Sequence, residues 1–406
     1  MAFQEFYTFQ MPTKIVHGIG SLRLLPDEIR KLGVQRPWIV TDPGIANAGI
    51  LRRVTDLLEG GKIPYGVFTG TPLTATVNAA IQSYAEAREF DFDSVIALGG
   101  GSSLVVGKVT AILGANGASP LDYEANGYPN PPLACIAIPT TAGSGAEVSK
   151  QCPMVDEERH YKFTLTDPKG YPTVALLDAN LLRTLPKMQA VFSGADALTH
   201  AIEAYSTTFT TPITDCLAEK AMGMLYHNLR PAILTGDLAA WDTCLVASTM
   251  ANMACGNAKL GLVHGLARNV QALFDVTYGL TIAVFLPPVM AWNTCAAPER
   301  FATMARLFGT TQPGATLDEQ AAGAVQGVKQ LLADLDCPRM FSPQQVNRDA
   351  IPTMARLAFA RGTVLTGAPD LDKISIDGYV NSPNIRRARY DDVVRLYEQT
   401  LEGWTL

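Results

Sequence analysis

The sequence predicts two folds in series, an α/β half built on a parallel sheet and an all-α half. The boundary falls near Pro186, giving domains at residues 1–187 and 188–406. Three observations carry this. Up to about residue 187, short β-rich runs alternate with helix-period segments, the pattern of a doubly wound parallel sheet. One of those runs, Ser94–Leu98, is a short apolar strand that passes straight into Gly99-Gly100-Gly101. After Pro186 the β-rich alternation disappears and helix-period stretches follow one another.

Taken in order, Pro37–Thr41 reads as a strand ending at Asp42, and Pro64–Phe68 as a second. Residues 74–90 read as a helix with Val77, Ala80, Ile81 and Tyr84 on one face. A helix over 102–113 follows the triglycine, and Leu133–Ile138 is a strand stopped by Pro139. Glu147–Val155 and Arg159–Thr166 flank Asp156-Glu157-Glu158 as a hairpin, and Thr173–Leu177 is the last strand, ending at Asp178. The second half predicts helices over 193–208, 214–230, 238–256, 261–274, 279–294, 316–334 and 389–404, with Pro212, Pro287-Pro288 and Pro338 as punctuation. Residues 363–388, rich in Gly, Pro and Asp, read as loop.

Composition narrows the function. With 48% apolar and 17% charged residues over 406 positions, the chain has enough apolar surface for a large core, which excludes global disorder. A net charge of -6 argues against nucleic acid or an anionic membrane as partner. The N-terminal MAFQEFYTFQMP has no basic segment leading into an apolar run, and the chain has no uninterrupted apolar stretch of roughly 18 residues. A cytoplasmic location is the expectation. The seven cysteines form no CxxC pair, so they read as reduced core fillers rather than zinc ligands or disulfides. Only His17, His160, His200, His227 and His264 are available for imidazole chemistry.

Four features carry chemistry. Gly99, Gly100, Gly101 and Ser102 join a strand to a helix N-terminus, where backbone N–H groups and the helix dipole receive a phosphate; the same glycines also suit an ordinary tight turn. Thr140, Thr141 and Ser144 lie in a second strand-end loop, fit for ribose or phosphate contacts or for a plain Ser/Thr/Gly loop. Asp42 ends an early strand; a carboxylate there accepts from adenosine ribose hydroxyls and disfavours a 2′-phosphate, pointing to NAD over NADP, or it simply forms the turn before Pro43. Asp196 and His200 are four residues apart, on one helix face if that segment is helical, so they form either a divalent-metal pair or a helix-surface pair. His264 offers a third ligand from another helix, with Arg268 one turn later.

Together and in this order, these motifs resemble the iron-containing (group III) alcohol dehydrogenase family, across essentially the whole chain. The run Gly194-Ala-Asp-Ala-Leu-Thr-His-Ala-Ile-Glu-Ala-Tyr205 is the most specific part, and Leu286-Pro287-Pro288-Val289 with Trp292-Asn293 match the family's later helix. The resemblance implies the dehydroquinate synthase-like fold, a dinucleotide-binding α/β domain with a helical domain, and an active site in the cleft between them. It implies NAD(P), with Lys162 near the cofactor, and Fe2+ or Zn2+ held by one Asp and three His. The reaction implied is hydride exchange between nicotinamide and an alcohol or aldehyde; a homodimer is the base-rate expectation.

The departures are specific. Val105 stands in the family's Asp position of the glycine motif, and Ser144 stands where Thr is usual. Arg268 replaces a second His after His264, and Tyr278 stands at the fourth ligand position. Three readings follow. In the first, Asp196, His200 and His264 hold the metal, with Tyr278 or water as the fourth ligand. In the second, the site is metal-free, as in maleylacetate reductases: Tyr278 donates to the carbonyl oxygen and Arg268 holds a substrate acid group. The third is a non-catalytic relative. A dehydroquinate synthase-like lyase is a further alternative. Arg268 raises the expectation of an anionic hydroxy or aldehyde substrate, because guanidinium pairs bidentately with carboxylate or sulfonate.

Overall fold

The computed structural model describes residues 6–117, 119–159, 161–360 and 373–406. His160 and the start of the expected 363–388 loop lie outside these. Two compact units form, one spanning Met11–Leu185 and the other containing residues 6–10 and the described residues from Pro186 onward.

In the first unit, β1 (Lys14–His17), β2 (Pro37–Val40), β3 (Gly66–Phe68), β4 (Ser94–Gly99), β5 (Ala134–Pro139) and β8 (Val174–Leu177) make one parallel sheet in the order β1-β8-β5-β4-β2-β3. Between them run α1 (Leu25–Leu32), α2 (Pro43–Asn47), α3 (Ile50–Gly60), α4 (Val77–Phe90) and α5 (Gly101–Asn116). The central strands β2 and β4 are buried along their whole length, which is why their sequences are apolar runs rather than alternations. Strand order reverses between β2 and β4, so the ends that carry Asp42 and Gly99 flank the crevice where α/β sheets receive ligands. A separate antiparallel hairpin pairs β6 (Gln151–Asp156) with β7 (Tyr161–Thr166). The segment predicted to start its first strand at Glu147 instead forms a 3-10 turn over Ala146–Val148.

Helix α5 lies almost wholly in the core and approaches the sheet through Gly107, where an added Cβ would fall 2.5 Å from Ala97 Cβ on β4. Gly107→Val is therefore expected to destabilise the protein by about 1–3 kcal/mol through overpacking. Urea denaturation measures this as a lower midpoint at unchanged slope.

The second unit is helical: α6 (Lys187–Tyr205), α7 (Pro212–Arg230), α8 (Leu238–Ala258), α9 (Leu262–Leu273), α10 (Tyr278–Asn293), α11 (Pro298–Phe308), α12 (Leu317–Asp334), α13 (Ile351–Leu357) and α14 (Tyr390–Glu402). Three sequence expectations fail here. Pro287 and Pro288 do not punctuate but lie inside α10, because burial of Leu280–Pro287 and Val289 holds the helix together across two missing N–H donors. Helices α11 and α13 went unpredicted; α13 is one of the shortest in the unit and starts from a 3-10 turn. Cys216 and Cys295 are exposed, so the cysteines do not all fill the core; the other five are buried.

Candidate functional site

The first unit gathers its predicted cofactor residues around the ends of β2, β4 and β5. Gly99 closes β4 at φ +142, and a Cβ there would stand 2.7 Å from Ser103 and 3.1 Å from Asp42 Oδ2, so only glycine fits. Gly100 is the extended N-cap of α5 and carries no side-chain cap, leaving the first-turn amides of a 16-residue helix to another acceptor. Ser102 Oγ donates to Leu73 O (2.6 Å), turning away from that role. Thr140 N donates to Gly99 O (3.0 Å), which ties the two strand-end loops together; Thr141 borders Gly100 and Ser144 borders Gly101. Asp42 accepts from the Ile45 amide (3.0 Å) and from Ser103 Oγ (2.8 Å), so it caps α2 and bridges to α5 across the switch point. Each carboxylate oxygen retains a second lone pair for a ribose hydroxyl. Lys162 lies on β7, opposite Val155, on the hairpin that Val155 N fastens to Ala75 O (2.9 Å). Val105, at the family's Asp position, is buried in the core.

In the second unit, α6 carries Asp196 and His200 one turn apart and α9 brings His264 against them, all three buried. Among the described residues these three form a group whose donor atoms lie within 4.8 Å of one another. His264 Nε2 is 3.4 Å and His200 Nε2 3.9 Å from Asp196 Oδ1, and the two imidazoles stack at 4.7 Å. Ligand bonds of about 2.1 Å put neighbouring donors on a tetrahedral ion about 3.4 Å apart, so the set fits a divalent cation. His264 Nε2 is buried and makes no hydrogen bond among the described residues, while Nδ1 bonds Glu203 Oε2 (2.6 Å). Metal-binding histidines are commonly arranged this way.

Burial alone would depress His264, but the Glu203 charge, the nearby Asp196 carboxylate and the hydrogen bond to Glu203 prevail and carry its pKa up to about 9. An ion entering the site must displace that proton. Wild-type affinity for Zn2+ is therefore expected to rise about tenfold per pH unit until about pH 9 and then level off, read by chelator competition. Because the folded value is raised above the ordinary 6.5, the stabilisation from this charge in the ion-free protein is complete below about pH 6.5. It is lost as pH climbs through about 9, so the ion-free Tm falls over that window.

Tyr278 opens α10 with its ring 6.1 Å from that of His264. Burial, reinforced by the Asp196 charge and partly offset by Arg268, raises its phenol pKa, so it keeps its proton. Arg268 is exposed on α9, and its charge reaches both Tyr278 and Tyr397. His17 ends the edge strand β1, and His227 is exposed on α7 against Leu307 O (2.9 Å). Two residues went unassigned in the sequence. Glu203 sits seven positions after Asp196, so i, i+4, i+7 spacing on α6 already put it on the ligand face. Cys255 on α8 lies close enough to Asp196 and Glu203 that, after burial, their charges raise its thiol pKa further; no local spacing signals this.

The family model described as iron-containing alcohol dehydrogenase matches residues 12–179, and the C-terminal model of the Fe-containing alcohol dehydrogenase family matches residues 190–376. A choline dehydrogenase from Bacillus subtilis (strain 168) is 32% identical, over 92% of this chain and 94% of its own length. A sulfoacetaldehyde reductase from Bilophila wadsworthia (strain 3_1_6) is also 32% identical, over 88% and 93%. The crystal structure of a 1,3-propanediol oxidoreductase superposes with a TM-score of 0.90 at 27% identity, over 98% of this chain and 100% of that one. Matched along both halves, with the donor set of its helical unit assembled, the chain belongs to the iron-containing alcohol dehydrogenase family.

Proposed function

We propose that the chain interconverts a small, negatively charged alcohol and its aldehyde or ketone, using a divalent metal held by Asp196, His200 and His264. The chain is an oxidoreductase of the alcohol dehydrogenase type, and membership in its family implies a nicotinamide dinucleotide and a metal, usually iron. The observation that carries the metal reading is the convergence of the three donor atoms within 4.8 Å. When bound, the ion stabilises negative charge on the substrate oxygen and the nicotinamide gives or takes the hydride.

The chain's own residues do the rest. The Gly99–Gly101 turn and the α5 amides receive the dinucleotide phosphates, with Thr140, Thr141 and Ser144 beside them and Asp42 set for the ribose hydroxyls of NAD. Lys162 is assigned to the cofactor by resemblance alone. Tyr278 keeps its phenolic proton and would donate it as a hydrogen bond to the substrate oxygen. Arg268 holds the substrate's acid group.

The test is metal analysis of purified wild type beside Tyr278→His, with NADH oxidation scored against a panel of aldehydes and oxo-acids. Wild type is expected to hold about one divalent ion per chain, and the added imidazole to tighten retention about tenfold against a chelator. Full turnover by the metal-stripped protein would sink the metal reading. It would instead favour a second one, resting on the protonated phenol, in which Tyr278 and Arg268 act alone on an oxo-acid.

A further inference from the structure

On α6 the two proposed ligands Asp196 and His200 share a face with a second buried acid, Glu203, which is 3% exposed. Both of its oxygens are committed to the start of α9. Oε1 accepts from the Val263 amide at 2.6 Å, and Oε2 bonds His264 Nδ1 at 2.6 Å. Helix α9 has no cap of its own, since its N-cap is Gly261. Its first amides are met instead by distant side chains, Leu262 N by Asn384 Oδ1 (3.3 Å) and Val263 N by Glu203. Gly261 is glycine for space: a Cβ there would stand 3.0 Å from Glu203 Oε1 and 3.1 Å from Asn384 Oδ1.

We infer that Glu203 is a positioning residue for the metal centre: it fixes the start of α9 with one oxygen and the ring of His264 with the other, so that Nε2 faces Asp196 and His200. This rests on the metal reading above. A neutral imidazole has one N–H, and which nitrogen carries it is set by the partner of the other. An acceptor at Nδ1 leaves the Nε2 lone pair for the ion. Glutamine has the same shape but one acceptor oxygen. If that oxygen keeps the Val263 amide, the glutamine NH2 faces Nδ1 and moves the ring proton to Nε2, where it blocks ligation. If it turns to His264, the NH2 opposes the buried Val263 N–H and loosens the helix start.

The experiment compares ion-stripped wild type, Glu203→Gln and Gly261→Ala, with Co2+ as probe. Affinity is read by chelator competition, geometry by the visible Co2+ spectrum, and folding by the circular dichroism and Tm of the ion-free proteins. Glu203→Gln is expected to bind Co2+ at least about tenfold more weakly, with an altered spectrum, while its ion-free fold persists. Gly261→Ala crowds the same carboxylate without removing it. It is expected to move affinity in the same direction by less, and it carries the test if the glutamine variant does not fold. A folded variant that binds Co2+ with wild-type affinity and spectrum overturns the inference alone. A wild-type protein that takes up no Co2+ overturns the metal reading, and the inference with it.

Discussion

Asp196→Ala is expected to lose its metal on gel filtration and to lose about 10³-fold in kcat. Asp196 is the anionic member of the donor group, and both imidazoles face the same carboxylate oxygen, His264 at 3.4 Å and His200 at 3.9 Å. Alanine leaves two neutral ligands, one from each of two helices, which is too few to fix a divalent ion against water. The lost charge stabilisation at the substrate oxygen is several kcal/mol; at about 1.36 kcal/mol per decade, 4 kcal/mol is roughly 10³-fold. Asp196→Asn separates charge from shape: the amide keeps the side-chain volume and one acceptor oxygen, so partial retention with weaker affinity is expected. Metal content by mass spectrometry beside kcat checks both. Turnover persisting in a metal-free Asp196→Ala protein would move the chemistry onto Tyr278.

How much of this was legible beforehand depends on the range of the interactions involved. The parallel sheet was, because β2 and β4 are buried on both faces and their apolar runs end in residues of marked character, Asp42 and the triglycine. The shared helix face of Asp196 and His200 was, because helical periodicity is local. His264 could be offered as a third donor from another helix, but its approach to 3.4 Å from Asp196 was not legible, since no local rule brings two helices together. Glu203 was open to the i+7 argument, whereas Cys255 reaches the same cluster from α8 and only folding reveals it. The helix expected over 279–294 does form, and the Pro287-Pro288 pair within it does not punctuate, because a local breaker is outweighed by tertiary burial.

Arg268→Ala should divide substrates by charge. The similar proteins span both signs, since choline is a cation and sulfoacetaldehyde an anion, so membership in the family leaves the sign of the substrate open. In this chain a guanidinium stands one helical turn beyond His264, exposed rather than consumed in the core, and close enough to lower the Tyr278 phenol against the opposing pull of burial. A guanidinium repels a quaternary ammonium and pairs with a carboxylate or sulfonate through two parallel hydrogen bonds, which is the role proposed for Arg268. Hydrogen bonds to charged groups contribute about 1.5–3 kcal/mol, so kcat/KM on acidic aldehydes is expected to fall roughly 10- to 150-fold in Arg268→Ala. Most of the change should lie in KM, because the contact is made equally in ground and transition states. Neutral aldehydes of similar size should change less than about threefold, and Arg268→Lys should recover only part of the loss, since a single ammonium cannot form the fork. Equal losses on acidic and neutral substrates would mean that Arg268 acts on Tyr278 or on the fold, and that the substrate's charge is read elsewhere.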